Sequence, residues 1–161
     1  MRLIPIITLI AAAAVMNAQQ PAEKTFTGAS DVTAMIAKAK AERKPDQPNF
    51  VQPLLKAAPY TTNLEYRVHG VDTTPNVHEQ EAEVFYVIDG GGTLTTGGKL
   101  RNEKRLNPTN LTGTAIDGGT SRHISKGDFF LVPENTPHGF TETEGTLVLM
   151  SMHVPRGGAA K

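Results

Sequence analysis

Residues 70–90 read GVDTTPNVHEQEAEVFYVIDG, and residues 127–138 read GDFFLVPENTPH. In the first stretch one residue separates Asn76 from His78, and Glu83 follows before Gly90. Alternate residues of a strand share a face, so Asn76 and His78 point together. Glu83 stands at an odd step from His78. It shares their face only if a turn or bulge within 79–82 resets the alternation. Glu83, Phe85 and Val87 then line an interior, while Val84, Tyr86 and Ile88 pack outside. In the second stretch a rigid bend from Pro133 to Pro137 aims His138. Two imidazoles and a carboxylate form a ligand set that iron, manganese, nickel, cobalt and zinc all accept. Glu79 and Glu81 are competing carboxylates for the place of Glu83.

Working outward, most of the chain reads as β. Phe50–Lys56 and Tyr60–Val68 are candidate strands separated by Ala58-Pro59. In the second, Leu64, Tyr66 and Val68 alternate with Asn63, Glu65 and Arg67, as in a half-buried strand. Val84–Ile88 is apolar on both faces, which fits a strand covered on both sides. Asp89 to Gly92 reads as a turn, and Thr93–Thr96 as the returning strand. Phe129–Val132 and Leu147–Val154 are further strands, with turns at Lys126-Gly127-Asp128 and Glu144-Gly145. Residues 97–122 are long, polar and Gly-rich, and read as an inserted loop at one mouth of a barrel. One helix is expected over 31–43, capped by Ser30, with Val32, Met35, Ile36 and Ala39 as its apolar stripe. Pro45 and Pro48 end it.

Composition narrows the function classes. Lys plus Arg and Asp plus Glu both number 16, so net charge is zero and nothing favours nucleic acid. The chain has no Cys, which excludes disulfides, thiol nucleophiles and zinc–thiolate sites. Its 161 residues favour one domain, and 15 Gly with 11 Pro favour short strands joined by turns. Residues 1–18 read as an export signal: a positive start at Arg2, a short apolar run from Leu3 to Val15, and a small residue at Ala18. The working protein is then periplasmic or secreted, with no membrane span once the signal is removed. Residues 19–49 form an arm and helix, 50–155 a barrel, and 156–161 a disordered tail.

The two stretches together resemble the paired motifs of the cupin superfamily. That resemblance implies an all-β jelly-roll barrel with one N-terminal helix, and it covers roughly residues 70–142. It implies one divalent metal ion, with iron, manganese, nickel and zinc not distinguished. By position, His78, Glu83 and His138 match the family's ligands. Asn76 stands where the family normally has His, and its amide oxygen is a weaker, harder donor. Asn135 stands where Gly is usual, and Glu142 where Asn is frequent. His69, His123 and His153 lie outside both motifs and read as packing or surface residues. Tyr66, Arg67 and Phe85 are the candidate ligand contacts. The resemblance implies action on a small organic molecule inside the barrel, by dioxygenase, isomerase, decarboxylase or lyase chemistry. The alternative is a non-catalytic module that binds a small ligand beside a degenerate metal site. A homodimer is expected, because the helix and the two-sided strand expose more apolar surface than one barrel covers.

Overall fold

The computed structural model describes residues 22–69 and 74–157. The expected export signal, Gly70 and residues 158–161 lie outside the described residues. Among the described residues one helix, α1 (Ala29–Glu42), is followed by eleven strands. These are β1 (Asn49–Ala57), β2 (Tyr60–Val68), β3 (Asn76–His78), β4 (Glu81–Thr96), β5 (Lys99–Arg101), β6 (Lys104–Asn107), β7 (Asn110–Thr112), β8 (Ala115–Asp117), β9 (Thr120–Ser125), β10 (Phe129–Val132) and β11 (His138–Pro155).

Two long strands organise everything else. The second half of β11 runs between β2 and the first half of β4, so one sheet has the order β1-β2-β11-β4-β10. The first half of β11 and the second half of β4 continue into a second sheet, β9-β4-β11-β3-β7-β6. Strands that pass from one sheet to the other make the corners of a jelly roll. The core between the sheets is Phe85, Val87, Leu94, Ile124, Val132, Phe140, Leu147 and Leu149.

The expected turn at Asp89–Gly92 and the expected break at Glu144-Gly145 are both absent: each lies inside an unbroken strand. The register slips here, with Thr143 opposite Gly92 and Leu147 opposite Gly90, so Glu144–Thr146 bulge out. The glycines allow the two backbones to close on each other. A Cβ on Gly90 would sit 1.8 Å from Thr146 O, and one on Gly92 2.3 Å from Glu142 O. Glycine inside a strand marks such a bulge or close approach as readily as it marks a turn.

The expected loop over 97–122 is instead built of strands. Its β7 pairs with β3, its β9 pairs with β4, and β5 pairs with β8. The helix begins earlier than expected, capped at Gly28 rather than Ser30, and the Asp31 carboxylate accepts the Gly28 N–H at 3.1 Å. Its stripe of Val32, Met35, Ile36 and Ala39 packs on Leu54, Leu64, Tyr66 and Val148, the outer face of the first sheet. Gln52 Nε2 donates to Met35 O at 2.8 Å and ties that layer together.

Candidate metal centre

The site is assembled by register. β4 turns Glu83, Phe85 and Val87 inward, and all three are buried. The odd step from His78 is absorbed by a bend at Glu79-Gln80, after which β4 starts at Glu81. His78 closes β3, and His138 opens β11 directly opposite Asn76. At the other end of β11, His153 is the cross-strand partner of Glu83.

Three imidazoles converge on the Glu83 carboxylate. His138 Nε2 lies 3.2 Å and His78 Nε2 3.4 Å from Oε2, and His153 Nε2 lies 3.4 Å from Oε1. Ligand atoms of His78, Glu83 and His153 all fall within 4.8 Å of one another. Behind each ring stands an acceptor. His78 Nδ1 is 2.8 Å from Asn110 Oδ1, and His138 Nδ1 is 3.0 Å from Thr136 O. His153 Nδ1 is 3.1 Å from Glu81 Oε2, in contact but without hydrogen-bond geometry.

These acceptors fix the chemistry. A carbonyl or carboxylate cannot donate, so a neutral imidazole facing one carries its proton on Nδ1. The Nε2 lone pairs then point at a carboxylate. That arrangement is repulsive unless protons or a cation lie between the groups. Nδ1 held by an outer acceptor and Nε2 directed inward is the usual arrangement of metal-ligating histidines. Without a metal, protons supply the positive charge. Burial pushes the Glu83 pKa up, but hydrogen bonds from His138 and His78 and the nearby imidazolium charges outweigh it and lower the pKa to about 2. Burial likewise opposes charge on His78, yet its bonds to Glu83 and Asn110 raise its pKa above the ordinary value. The donor set fits a divalent ion: His78, Glu83 and His153 offer ligand atoms close enough to share one, and His138 Nε2 points at the same carboxylate.

His153 was expected to be a packing or surface residue, and its placement corrects that. Leu147, Leu149, Ser151 and His153 share one face of β11, and its leucines are core residues. Period-two alternation alone carried that signal. Asn76 lines the cavity, but its Nδ2 donates to Thr74 O at 3.3 Å, and among the described residues no side-chain hydrogen bond joins it to the histidines or Glu83. Glu79 is held away by a bidentate pair with Arg105, at 2.6 and 3.0 Å. His69 and His123 bond to Thr143 O and Glu144 respectively, away from the cluster.

The cluster opens into a cavity of about 240 Å³. Phe85 and Arg67 line it, but Tyr66 does not. Tyr66 lies under the helix, because β2 alternates in the sense opposite to the one expected for a ligand contact. Its apolar residues Leu64 and Tyr66 face outward to α1, and its polar residues Asn63, Glu65 and Arg67 face into the barrel. Arg67 Nη2 donates to Glu65 Oε2 at 2.6 Å and its guanidinium lies 4.6 Å from the Phe140 ring centroid.

Comparison with solved structures identifies the architecture. An uncharacterized double-stranded β-helix protein from Klebsiella pneumoniae aligns with a TM-score of 0.53 at 14% identity, over 73% of this chain and 85% of that one. The cupin domain of Schizosaccharomyces pombe Cnp3 aligns at 0.51 and 13% identity, over 72% and 71%. The Fe(II) form of HppE aligns at 0.50 and 15%, over 67% of this chain and 52% of that one. No family model and no curated protein sequence matches the chain. The chain therefore has the cupin fold, an all-β jelly roll, with His78, His138, His153 and Glu83 gathered inside the barrel.

Proposed function

We propose that this chain is a metal-dependent cupin enzyme that acts on a small organic molecule inside the barrel. The observation that carries this reading is the convergence of three Nε2 atoms on the Glu83 carboxylate, with the His78 and His138 rings each held by an acceptor at Nδ1. His78, Glu83, His138 and His153 would hold one divalent ion, and His153 supplies the fourth donor that Asn76 does not. A bound dication polarises ligand oxygens and orients them. One carboxylate and three neutral imidazoles leave the centre near plus one, which suits an anionic or chelating oxygen pair. Asn110 and Thr136 hold the His78 and His138 rings in the ligating tautomer. Phe85 and Phe140 keep the adjoining wall dry.

Metal analysis after chelation and reloading with Fe(II), Mn(II), Ni(II) or Zn(II) tests the centre, with one ion per chain expected. Oxygen uptake by the Fe(II) form separates dioxygenase chemistry from isomerase, decarboxylase or lyase chemistry. A protein that takes up no metal overturns the reading and leaves a non-catalytic ligand-binding barrel.

Two further parts of the reading concern context. Export through residues 1–18 rests on the charged start and short apolar run; a mature terminus near Gln19 in the host envelope supports it. A homodimer rests on the outer face of the first sheet. There Phe129 and Leu131 on the edge strand β10 stand 69% and 58% exposed beside Tyr86 and Val84. Light scattering should give a dimer mass, and Phe129→Asp should shift it toward the monomer.

A further inference from the structure

Four buried side-chain polar atoms lack a hydrogen-bond partner among the described residues: Asn49 Oδ1, Arg67 Nε, Ser151 Oγ and His153 Nδ1. All four belong to inward positions on the first sheet. About 90% or more of buried polar groups are paired in folded proteins, so each exception needs a physical reason. His153 belongs to the metal centre. Asn49 and Arg67 mark a different end of the same cavity.

Asn49 and Arg67 are direct cross-strand partners on β1 and β2. Both are clamped to one oxygen: Asn49 Nδ2 donates to Glu65 Oε2 at 2.8 Å and Arg67 Nη2 donates to it at 2.6 Å. Each keeps one group unspent, a donor at Arg67 Nε and an acceptor at Asn49 Oδ1. Charge is already balanced here, because Glu65 matches Arg67. A hydroxyl is the simplest group that serves both atoms, since it accepts from an N–H and donates to a carbonyl. A carboxylate can only accept. It would also put a second negative charge beside the buried Glu65, where low dielectric magnifies repulsion.

Between this end and the histidines the wall is aromatic. Phe140 lies 5.6 Å from Phe85, and Phe85 6.4 Å from His138, by ring centroids. We propose that Asn49 and Arg67, held by Glu65, form a recognition site for an uncharged hydroxyl of the ligand. The ligand is then a short bipolar molecule: a chelating oxygen pair at the metal, a carbon segment over Phe85 and Phe140, and a hydroxyl at the far end. The cavity, about 240 Å³, is smaller than the ~300–1,000 Å³ of drug-sized pockets, which sets a low limit on ligand size. The chelating half rests on the metal reading above; the hydroxyl half stands on Asn49, Glu65 and Arg67 alone.

The test uses matched probes on the Zn(II)-loaded protein. One set is 2-hydroxybutyrate, 2,4-dihydroxybutyrate and malate; the other is 2-hydroxyhexanoate, 2,6-dihydroxyhexanoate and 2-hydroxyadipate. Within a set only the far group changes, from methyl to hydroxyl to carboxylate. In at least one set the hydroxyl member should bind at least about tenfold more tightly than both relatives, the size of one well-made hydrogen bond to a charged donor. Arg67→Met should erase that preference while zinc stays bound at one ion per chain. Glu65→Gln should let the carboxylate member gain on the hydroxyl member. The Arg67 Nε–H resonance of 15N-labelled protein should move with the hydroxyl member and stay still with the methyl one. Tightest binding of the carboxylate members by the parent, or equal binding of all members, overturns the proposal. A chain that takes up no zinc overturns the metal reading instead. The Arg67 resonance, followed in that metal-free protein at millimolar probe, still decides the hydroxyl site.

Discussion

The two faces of the β2-β11-β4 sheet differ in chemistry, although the same strands supply both: only the inward one carries charge beside its apolar core. Outward, Leu64, Tyr66, Val148 and Met150 lie beneath the stripe of α1, a dry layer closed by side-chain packing. Inward, the same strands present the core residues Phe85, Val87, Leu147 and Leu149 and, around the cavity, Glu65, Arg67, His153 and Glu83, a polar cluster joined by ion pairs. The comparison separates the residues that stabilise from the residues that bind. Apolar burial holds the sheet from both sides, and the inner polar residues use that rigid sheet to aim donors into the cavity. Variants on the two faces should therefore fail in different ways.

The largest effect is expected inside. Glu83→Gln removes the carboxylate on which all three Nε2 atoms converge. Loss of an outer-shell partner alone typically costs 10–100-fold in metal affinity. Loss of the ligand itself should exceed about 100-fold, read by competition with a chromogenic chelator, while the fold is retained. On the outer face Leu64, fully buried under the helix, should behave in the converse way. Leu64→Ala should cost about 2–5 kcal/mol of unfolding free energy. Metal stoichiometry should stay at one per chain below the midpoint. If Leu64→Ala empties the metal centre at full fold, the two faces are not separable.

Acid should expose the inner face alone. The folded-state pKa of Glu83, about 2, lies below its ordinary 4.5. A depressed carboxylate stabilises the fold above its unfolded pKa. In the metal-free protein that contribution is whole above about pH 4.5 and is lost as pH falls toward 2. One pKa unit corresponds to about 1.4 kcal/mol, so the effect is a few kcal/mol at most. Urea midpoints of parent and Glu83→Gln should therefore converge between pH 4.5 and 2. Parallel midpoints across that range would sink the linkage.

The division between faces also explains what the sequence discloses. Alternation in Tyr60–Val68 identifies an apolar and a polar face, and both exist as read. Alternation alone does not say which face looks inward. A helix covering the outside of the sheet turned the apolar face outward, and with it Tyr66. The spacing around His78, Glu83 and His138 located three members of the cluster, because short motifs are local. His153 depends on antiparallel pairing between distant strands, and the position of that pairing is set by the bulge at Glu144–Thr146. Gly90 and Gly92 read as a turn because a local signal cannot distinguish a reversal from the approach of a neighbouring backbone. The strands of 97–125 escaped for a related reason. They are short and polar; β7 and β9 form against β3 and β4, while β5 pairs with β8 and β6 with β7 inside the segment.

That account makes His153 and Asn110 informative. His153→Ala should lower metal affinity by at least about tenfold, with the affinity partly recovered by free imidazole. Asn110, carried on β7, holds His78 Nδ1 at 2.8 Å. Asn110→Ala should cost about tenfold, at the lower end of the outer-shell range. Asn110→Asp should restore the loss, since a carboxylate also accepts from Nδ1. A neutral Asn110→Ala would mean that the inserted strands do not serve the centre.

The smallest effect is expected at Asn76, the position where the motif alone would place a ligand. Its side chain is half-buried along the cavity and turns its Nδ2 to Thr74 O at 3.3 Å. Three imidazoles and Glu83 already converge without it. An amide oxygen is also a poor competitor for an ion that imidazole holds. Asn76→Ala should therefore change metal affinity by no more than about twofold, the scale of a half-kilocalorie surface substitution. His153→Ala, measured beside it under the same chelator, supplies the contrast. If Asn76→Ala loses tenfold and His153→Ala loses nothing, the ligands follow the motif rather than the strand register. The inner face of β11 would then be packing like the outer one, and the distinction between the two faces would fail at its decisive residue.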